Sequence, residues 1–426
     1  MKHVAQADLQ GNILCGYGRK YAHGLFLFFR IEDPRAFAQW LDDHVDRITT
    51  AVPWGKPDPP STLNLALSFG GLTAMGVPEQ VLKSFPEDFS EGMEARAGQL
   101  GDIGESDPEQ WDERLKGLHG VVTVVALERS VRDTRRQELE AEAEAAGLRI
   151  ASAQETDVRE DEREPFGFMD GISQPAIRDP AAGPWPRPGD VPVAPGEFVL
   201  GYEDEGGVTP PPPERIGLNG SYMVVRKLEQ DVDGFWDFMR SEAGADEVRM
   251  EWLAAKIVGR WRDGTPLVRS PLGPDGNGAA RDALNDFTYG GDPEGLRCPL
   301  GAHIRRTNPR DSLDPEWRFT NRHRIIRRGM PYAANGGREQ PGLVFVCFQA
   351  SIERQFEFVQ SEWMGDGNAF GLGSDPDFIA GPSAGKMTIQ GAPPRFVPMR
   401  RFITTRGGGY FFVPGMAALR HIAQLG

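Results

Sequence analysis

One pattern occurs twice along this chain, and it restricts the fold more than composition does. Leu25-Phe26-Leu27-Phe28-Phe29-Arg30-Ile31 is a short apolar run, best read as a buried strand. Asp33-Pro34 then gives a helix-start signal, with Phe37, Trp40 and Leu41 at helical spacing behind it. In the second half, Ser221-Tyr222-Met223-Val224-Val225-Arg226-Lys227-Leu228 is again a strand, and a helix over 232–239 carries Phe235, Trp236 and Phe238. The shared order is apolar strand, arginine, acidic turn, then a helix with aromatic residues. It predicts a duplicated α+β unit.

The remaining elements fit an antiparallel arrangement. Residues 62–69 and 121–127 read as strands, and Ser130 caps a charged helix that runs to about Ala146 and ends at Gly147. Residues 343–348 form a strand followed by a helix over 353–363. Residues 401–405 and 410–413 flank a triple glycine and read as a hairpin before a last short helix. Between 179 and 213, prolines at 180, 184, 186, 188, 192, 195 and 210–213 exclude long regular structure and predict a linker or a long surface crossing. A boundary near residue 200 then divides the chain into domains 1–200 and 201–426.

Charge and cysteine usage remove several function classes. Lys and Arg number 47 against 62 Asp and Glu, a net charge of −15 without a basic block, which argues against a nucleic-acid partner. No apolar run approaches membrane-spanning length, so no membrane partner is expected. Cys15, Cys298 and Cys347 are widely spaced and lack any Cys-x-x-Cys pair, so neither a zinc ribbon nor a disulfide framework is supported. Reduced thiols, and a start without the apolar core of a signal peptide, predict a cytoplasmic protein. No Gly-x-Ser-x-Gly elbow and no His-Glu-x-x-His helix supports common hydrolase chemistry.

Three segments carry chemistry. Phe166-Gly167-Phe168-Met169-Asp170-Gly171 sets one carboxylate among glycines and apolar residues. Alone, an Asp-Gly pair reads as a turn cap. Cys298-Pro299-Leu300-Gly301-Ala302-His303 places an imidazole in an apolar stretch, with Arg305, Arg306 and Arg310 behind it. Such cations would meet the carboxylates of an iron porphyrin. Arg324-Ile325-Ile326-Arg327-Arg328-Gly329-Met330-Pro331-Tyr332 supplies further arginines, and by itself reads as a basic strand.

Taken together these segments resemble the dye-decolorizing peroxidases. Gly167-Phe168-Met169-Asp170-Gly171 has the form of their Gly-x-x-Asp-Gly signature. The stretch from Cys298 to Arg310 is similar to their proximal-histidine segment, and Arg327-Arg328-Gly329-Met330-Pro331-Tyr332 to their distal-arginine segment. The likeness extends from Asp8-Leu9-Gln10-Gly11-Asn12 to Ile352-Glu353-Arg354-Gln355-Phe356, nearly the whole chain. It implies two ferredoxin-like domains of the dimeric α+β barrel type, each an antiparallel sheet with peripheral helices. It implies one heme b per chain, held mainly by the second domain through His303, with Asp170 reaching over from the first.

The activity so implied is reduction of hydrogen peroxide and oxidation of dyes, phenols and similar aromatic donors through ferryl heme. Asp170 would carry a proton between the peroxide oxygens, and Arg327 would hold charge electrostatically, with Arg328 the adjacent alternative. Asp366, Asp375, Asp377 and Glu362 stand as candidate carboxylates behind His303. Arg310 is a candidate propionate partner, Leu343 and Phe345 candidate pocket walls, and Tyr332 a candidate surface site for oxidising bulky donors. The alternative is a heme carrier or sensor of the same fold with little turnover.

Overall fold

The computed structural model describes residues 3–17, 20–179, 189–275, 281–333 and 339–425. Its first half contains β1 (His23–Ile31), α1 (Pro34–His44), β2 (Ser61–Leu67), β3 (Gly120–Ala126), α2 (Arg129–Ala145) and β4 (Leu148–Asp157). All pairings are antiparallel, in the spatial order β4-β1-β3-β2, with His23 opposite Ala126 and Phe29 opposite Gly120. Asp33 starts α1 as expected, its carboxylate accepting from the Arg35 and Ala36 amides, a cap worth about 1 kcal/mol.

The second half begins with β5 (Ser221–Gln230), α3 (Val232–Ala243), α4 (Glu247–Val258) and the short helix α5 (His303–Thr307). It continues through β6 (Ile326–Arg327), β7 (Met330–Tyr332), β8 (Gly342–Gln349) and a π-helical stretch (Ile352–Glu357, then Val359–Gly365). A separate two-stranded ribbon, β9 (Lys386–Ile389) and β10 (Arg395–Pro398), precedes β11 (Ile403–Val413) and α5's last successor, α6 (Met416–Ala423). Strand order here is β11-β5-β8, with β6 and β7 both paired to β8. That repeats the order of the first half, its second strand split in two. The duplication read from the sequence is therefore a duplication of topology.

The two halves share one sheet. Phe412 of β11 pairs with Leu67 of β2, which joins both sets into nine strands. At the far edges β4 and β7 approach each other, and the Thr156 hydroxyl donates to Met330 Sδ at 3.5 Å. Gly24 permits this approach, because a Cβ there would stand 2.2 Å from Thr156 Oγ1 and 2.7 Å from Met330 Sδ.

Both faces of the sheet are buried, which explains why β1 is apolar without alternation. Leu25, Leu27 and Phe29 pack with Phe37 and Leu41 of α1 and Leu139 of α2. Phe26 and Phe28 face a second cluster with Val225, Val346 and Phe411. A third cluster joins Phe235 and Met239 of α3 and Leu253 and Ile257 of α4 to Phe166 and Phe168, and so anchors the Asp170 segment on the second half.

Three expectations are corrected. The proline-rich stretch is a surface crossing only in part: residues 206–211 are exposed, whereas Val193, Phe198 and Val199 are fully buried and fill the cluster around Phe26 and Phe28. Residues 180–188 of that stretch lie outside the described residues. The triple glycine forms no hairpin; it lies inside continuous β11, where a Cβ on Gly408 would sit 2.1 Å from the Val225 carbonyl oxygen. Close approach to β5, not a turn, requires glycine there. Ser130 does not cap α2, which starts after Glu128 without a side-chain cap.

Candidate active site

The Asp170 loop folds around a carboxylate. Glu164 accepts from the Phe166 amide through Oε2 and from the Phe168 amide through Oε1, each at 2.9 Å. Gly167 has φ +95°, and a Cβ there would meet Arg262 Nη2 at 2.7 Å. The Arg262 carbonyl accepts from the Met169 amide, and Trp236 Nε1 donates to the Phe166 carbonyl at 3.1 Å. Asp170 follows, its Oδ1 accepting from the Gly171 amide at 2.6 Å. The turn-cap reading of Asp170 is thus correct, and it is incomplete.

Arg327 comes to the same place from β6, where it pairs with Cys347 of β8. Gln174 clamps its backbone from both sides, accepting its N–H and donating to its C=O at 3.0 Å each. Arg327 Nη2 donates to the Ser173 carbonyl at 3.2 Å, and Nη1 lies 3.7 Å from Asp170 Oδ1. Arg328 points elsewhere, donating to the carbonyls of Asn12 and Leu14. Burial pushes its guanidinium down to about 10. Of the two arginines, Arg327 is the one that lies beside Asp170.

His303 opens α5, and its Nδ1 lies 3.0 Å from Asp377 Oδ2 and 3.1 Å from Oδ1. Asp377 is fully buried, and its Oδ1 also accepts from the Ile379 and Ala380 amides. Burial alone would raise that carboxyl; the His303 ring, the Ala380 amide and Arg306 outweigh it and hold the group below the usual carboxylate range. With Nδ1 engaged, Nε2 is the nitrogen left for a metal. Of the other carboxylates considered, Asp375 binds Lys386, Asp366 caps the Asn368 amide and Glu362 contacts Ser361.

Asp170, Arg327 and His303 line one cavity of about 320 Å³, and Leu343, Phe345 and Arg310 line it as well. Leu343 and Phe345 add apolar wall together with Phe356 and Ile379. Arg310 stacks on Phe287 at 3.7 Å, but its terminal nitrogens already donate to the Asn285 and Phe287 carbonyls and to Asn285 Oδ1. Arg324, beside it, makes no hydrogen bond through its guanidinium among the described residues. Burial, then the charge of Arg310, pushes it down to about 10.

Two adjacent enclosed cations, one without a hydrogen bond through its guanidinium among the described residues, favour an anionic partner. An imidazole with one nitrogen pinned by a carboxylate, apolar walls and that cationic end together form a donor set that fits an iron porphyrin and its propionates. Arg324 was hidden in the sequence by the surrounding run Arg322, Arg324, Arg327 and Arg328, which gives no sign of which members turn inward.

Two expectations fail against this geometry. Tyr332 is not a surface residue: it is 1% exposed, packs in the cluster around Phe26 and donates its hydroxyl to the Leu228 carbonyl. Its strand, β7, faces that core, so proximity in sequence to Arg327 does not carry it to solvent. Arg305 and Arg306 do not reach the cavity's cationic end either. Arg305 binds Asp292 and the Cys298 carbonyl, and Arg306 donates to the carbonyls of Trp363 and Asp375. Among the described residues no cluster of three or more His, Cys, Asp or Glu side chains could hold a bare metal ion. No helix among them is long and apolar enough to cross a membrane.

Comparison with known proteins gives matches over most of the chain. Residues 8–159 match the DyP dimeric alpha+beta barrel domain, and residues 208–371 match the Dyp-type peroxidase C-terminal domain. A dye-decolorizing peroxidase of Exidia glandulosa is 31% identical over 97% of this chain and 86% of its own length. The multifunctional dye peroxidase DyP2 of an Amycolatopsis species is 30% identical over 97% of this chain and 95% of its own. Among solved structures, a dye-decolorizing peroxidase in complex with 2,6-dimethoxyphenol superposes with a TM-score of 0.85 at 28% identity, covering 98% of this chain and 99% of that one.

Proposed function

Given that this chain belongs to the dye-decolorizing peroxidase family and is a heme peroxidase, we propose that His303 would hold the heme iron and that Asp170 and Arg327 would act on hydrogen peroxide. The observation that carries this reading is the convergence on one cavity of an imidazole held by Asp377 and an acid paired with an arginine. Bound heme would supply the redox chemistry by which two electrons from the donors reach peroxide.

The chain's own groups do the proton work. Asp170 accepts the proton from one peroxide oxygen and returns it to the other, which leaves as water. Arg327 stays charged throughout and stabilises negative charge on the departing oxygen. The Asp377 carboxylate accepts a hydrogen bond from Nδ1–H of His303, which fixes the tautomer and strengthens Nε2 as a donor. Arg324, with Arg310 behind it, neutralises the propionates. Leu343 and Phe345 keep water away from the reacting atoms. Dyes and phenols are the donors.

We read the chain as two domains, 1–200 and 201–426, with the second holding the cofactor. A cytoplasmic placement agrees with three cysteines that form no disulfide. The deciding experiment is an absorption spectrum before and after peroxide addition. The parent shows a Soret band that shifts with peroxide, and His303→Ala lacks the band. A parent that binds heme without responding to peroxide would refute the peroxidase assignment.

A further inference from the structure

Glu164 lies outside every motif described for peroxide chemistry, yet three hydrogen bonds converge on its carboxylate. The Phe166 and Phe168 amides donate to its two oxygens at 2.9 Å each, and Gln230 Nε2 of β5 donates to Oε2 at 2.9 Å. Its backbone completes the ring: the Glu164 amide donates to the Phe168 carbonyl at 3.0 Å, and the Gly167 amide to the Glu164 carbonyl at 2.8 Å. Burial raises this carboxyl above its usual range, against those amides and Gln230, and the charge of Asp170 raises it further.

Glu164 is partly buried, and withdrawing a charged carboxylate from water costs free energy that these hydrogen bonds must offset. The arrangement makes sense where the loop's position matters. Glu164 sits on the cavity wall with Phe166, Phe168 and Asp170. Its bond to Gln230 also crosses from the first half of the chain to β5 of the second. Gln174 and the Ser173 carbonyl hold the C-terminal side of the Asp170 loop to Arg327, so the Glu164–Gln230 bond is what fixes its N-terminal side, and displacements of about 1 Å at a reacting group lower rates on the order of 100-fold.

We propose that Glu164 is a positioning residue for the peroxide step, which fixes the Phe166–Asp170 loop by its two amide bonds and registers it on the second half through Gln230. This rests on the role of Asp170 assigned above. Glu164→Gln removes one of the two amide acceptors, since the side-chain NH₂ cannot accept. In the heme-loaded protein, amide exchange over 164–170 speeds up at least tenfold, and the second-order rate with hydrogen peroxide falls at least tenfold. Soret intensity and the KM for a phenolic donor stay within twofold of the parent.

Gln230→Leu, which leaves the loop's own bonds in place, gives a smaller change of the same kind, at least threefold in both exchange and rate. It also serves if Glu164→Gln does not fold. Unchanged exchange in the variants overturns the proposal, and so does a peroxide rate within twofold of the parent. A parent that itself fails to react with peroxide refutes the peroxidase reading, while the exchange result still decides whether Glu164 holds the loop.

Discussion

Asp170 Oδ1 and Arg327 Nη1 stand 3.7 Å apart, within electrostatic reach and beyond hydrogen-bond length. One belongs to the loop that follows β4, the other to β6, and the sequence separates them by more than 150 residues. Gln174 ties the two segments, since it binds the Arg327 backbone from the Asp170 side. The acid and the cation are thus attracted without being locked together.

Asp170→Asn removes the proton carrier and keeps the shape. The rate of the first reaction with peroxide should fall by about 10²–10⁴-fold. Arg327→Leu should lower it by about 10²–10³-fold. Stopped-flow absorption measures both, with the resting heme spectrum retained. Rates within threefold of the parent in both variants would refute the assignment.

Asp377→Asn keeps a group beside His303 Nδ1 but withdraws the negative charge. Heme affinity or peroxide reactivity should drop by about 10–100-fold. Heme titration followed by stopped flow separates the two effects. No change in either would mean that Asp377 serves only to cap the Ile379 and Ala380 amides.

Arg324→Leu should have opposite effects on the two forms of the protein. Without heme, it removes an enclosed cation that lacks a hydrogen-bond partner among the described residues, so the apo-protein melts higher. With heme, a propionate loses its counter-charge and affinity falls about tenfold or more. Thermal melts of the apo-protein and a heme titration give both readouts; a variant that binds heme as tightly as the parent would exclude Arg324 as a propionate partner.

Tyr332→Phe should leave dye oxidation within twofold of the parent, because a buried ring cannot touch a bulky donor. The lost hydrogen bond to the Leu228 carbonyl costs about 1 kcal/mol of stability. Steady-state assays with a dye and with a small phenol, together with denaturant melts, test this. A selective loss of dye activity would return Tyr332 to the electron path.

His323 should make the fold acid-sensitive. Its ring stacks on Phe358 with centroids 3.9 Å apart, and Nδ1 donates to the Arg354 carbonyl. Burial, followed by the charges of Arg354 and Arg322, holds it below its usual pKa despite that hydrogen bond. The unfolded chain then binds more protons just below pH about 6.5, so stability is full above that value and is lost as pH falls toward the folded-state pKa. His323→Phe should flatten the dependence of Tm between pH 7 and pH 5, and an unchanged slope would exclude His323 as its source.

Much of this was legible in the sequence, for physical reasons that differ by residue. β1, β5 and β8 announce themselves because both faces are buried and the apolar run is unbroken. β4, Leu148–Asp157, does not, because it borders the sheet and intersperses Arg149, Ser152 and Gln154 among its apolar residues. Asp170 and Arg327 taken singly read as a turn cap and part of a basic strand, and only their occurrence with His303 in a family-like order marked all three. Asp377 could not be separated from Asp366 and Asp375 because its partner lies 74 positions away. Tyr332 misled because residues five apart usually share a neighbourhood, whereas Arg327 and Tyr332 sit on different short strands along β8.

The repeat is symmetric in strand order and asymmetric in what leaves its last strand. After β4, the chain crosses onto the other half and delivers an acid. After β11, the corresponding exit runs into α6, whose Met416, Leu419 and Ile422 pack into the α1 core of the first half. The repeat of strand order therefore stops at those two exits, where one half lends a loop to its neighbour's cavity and the other lends a helix to its neighbour's core.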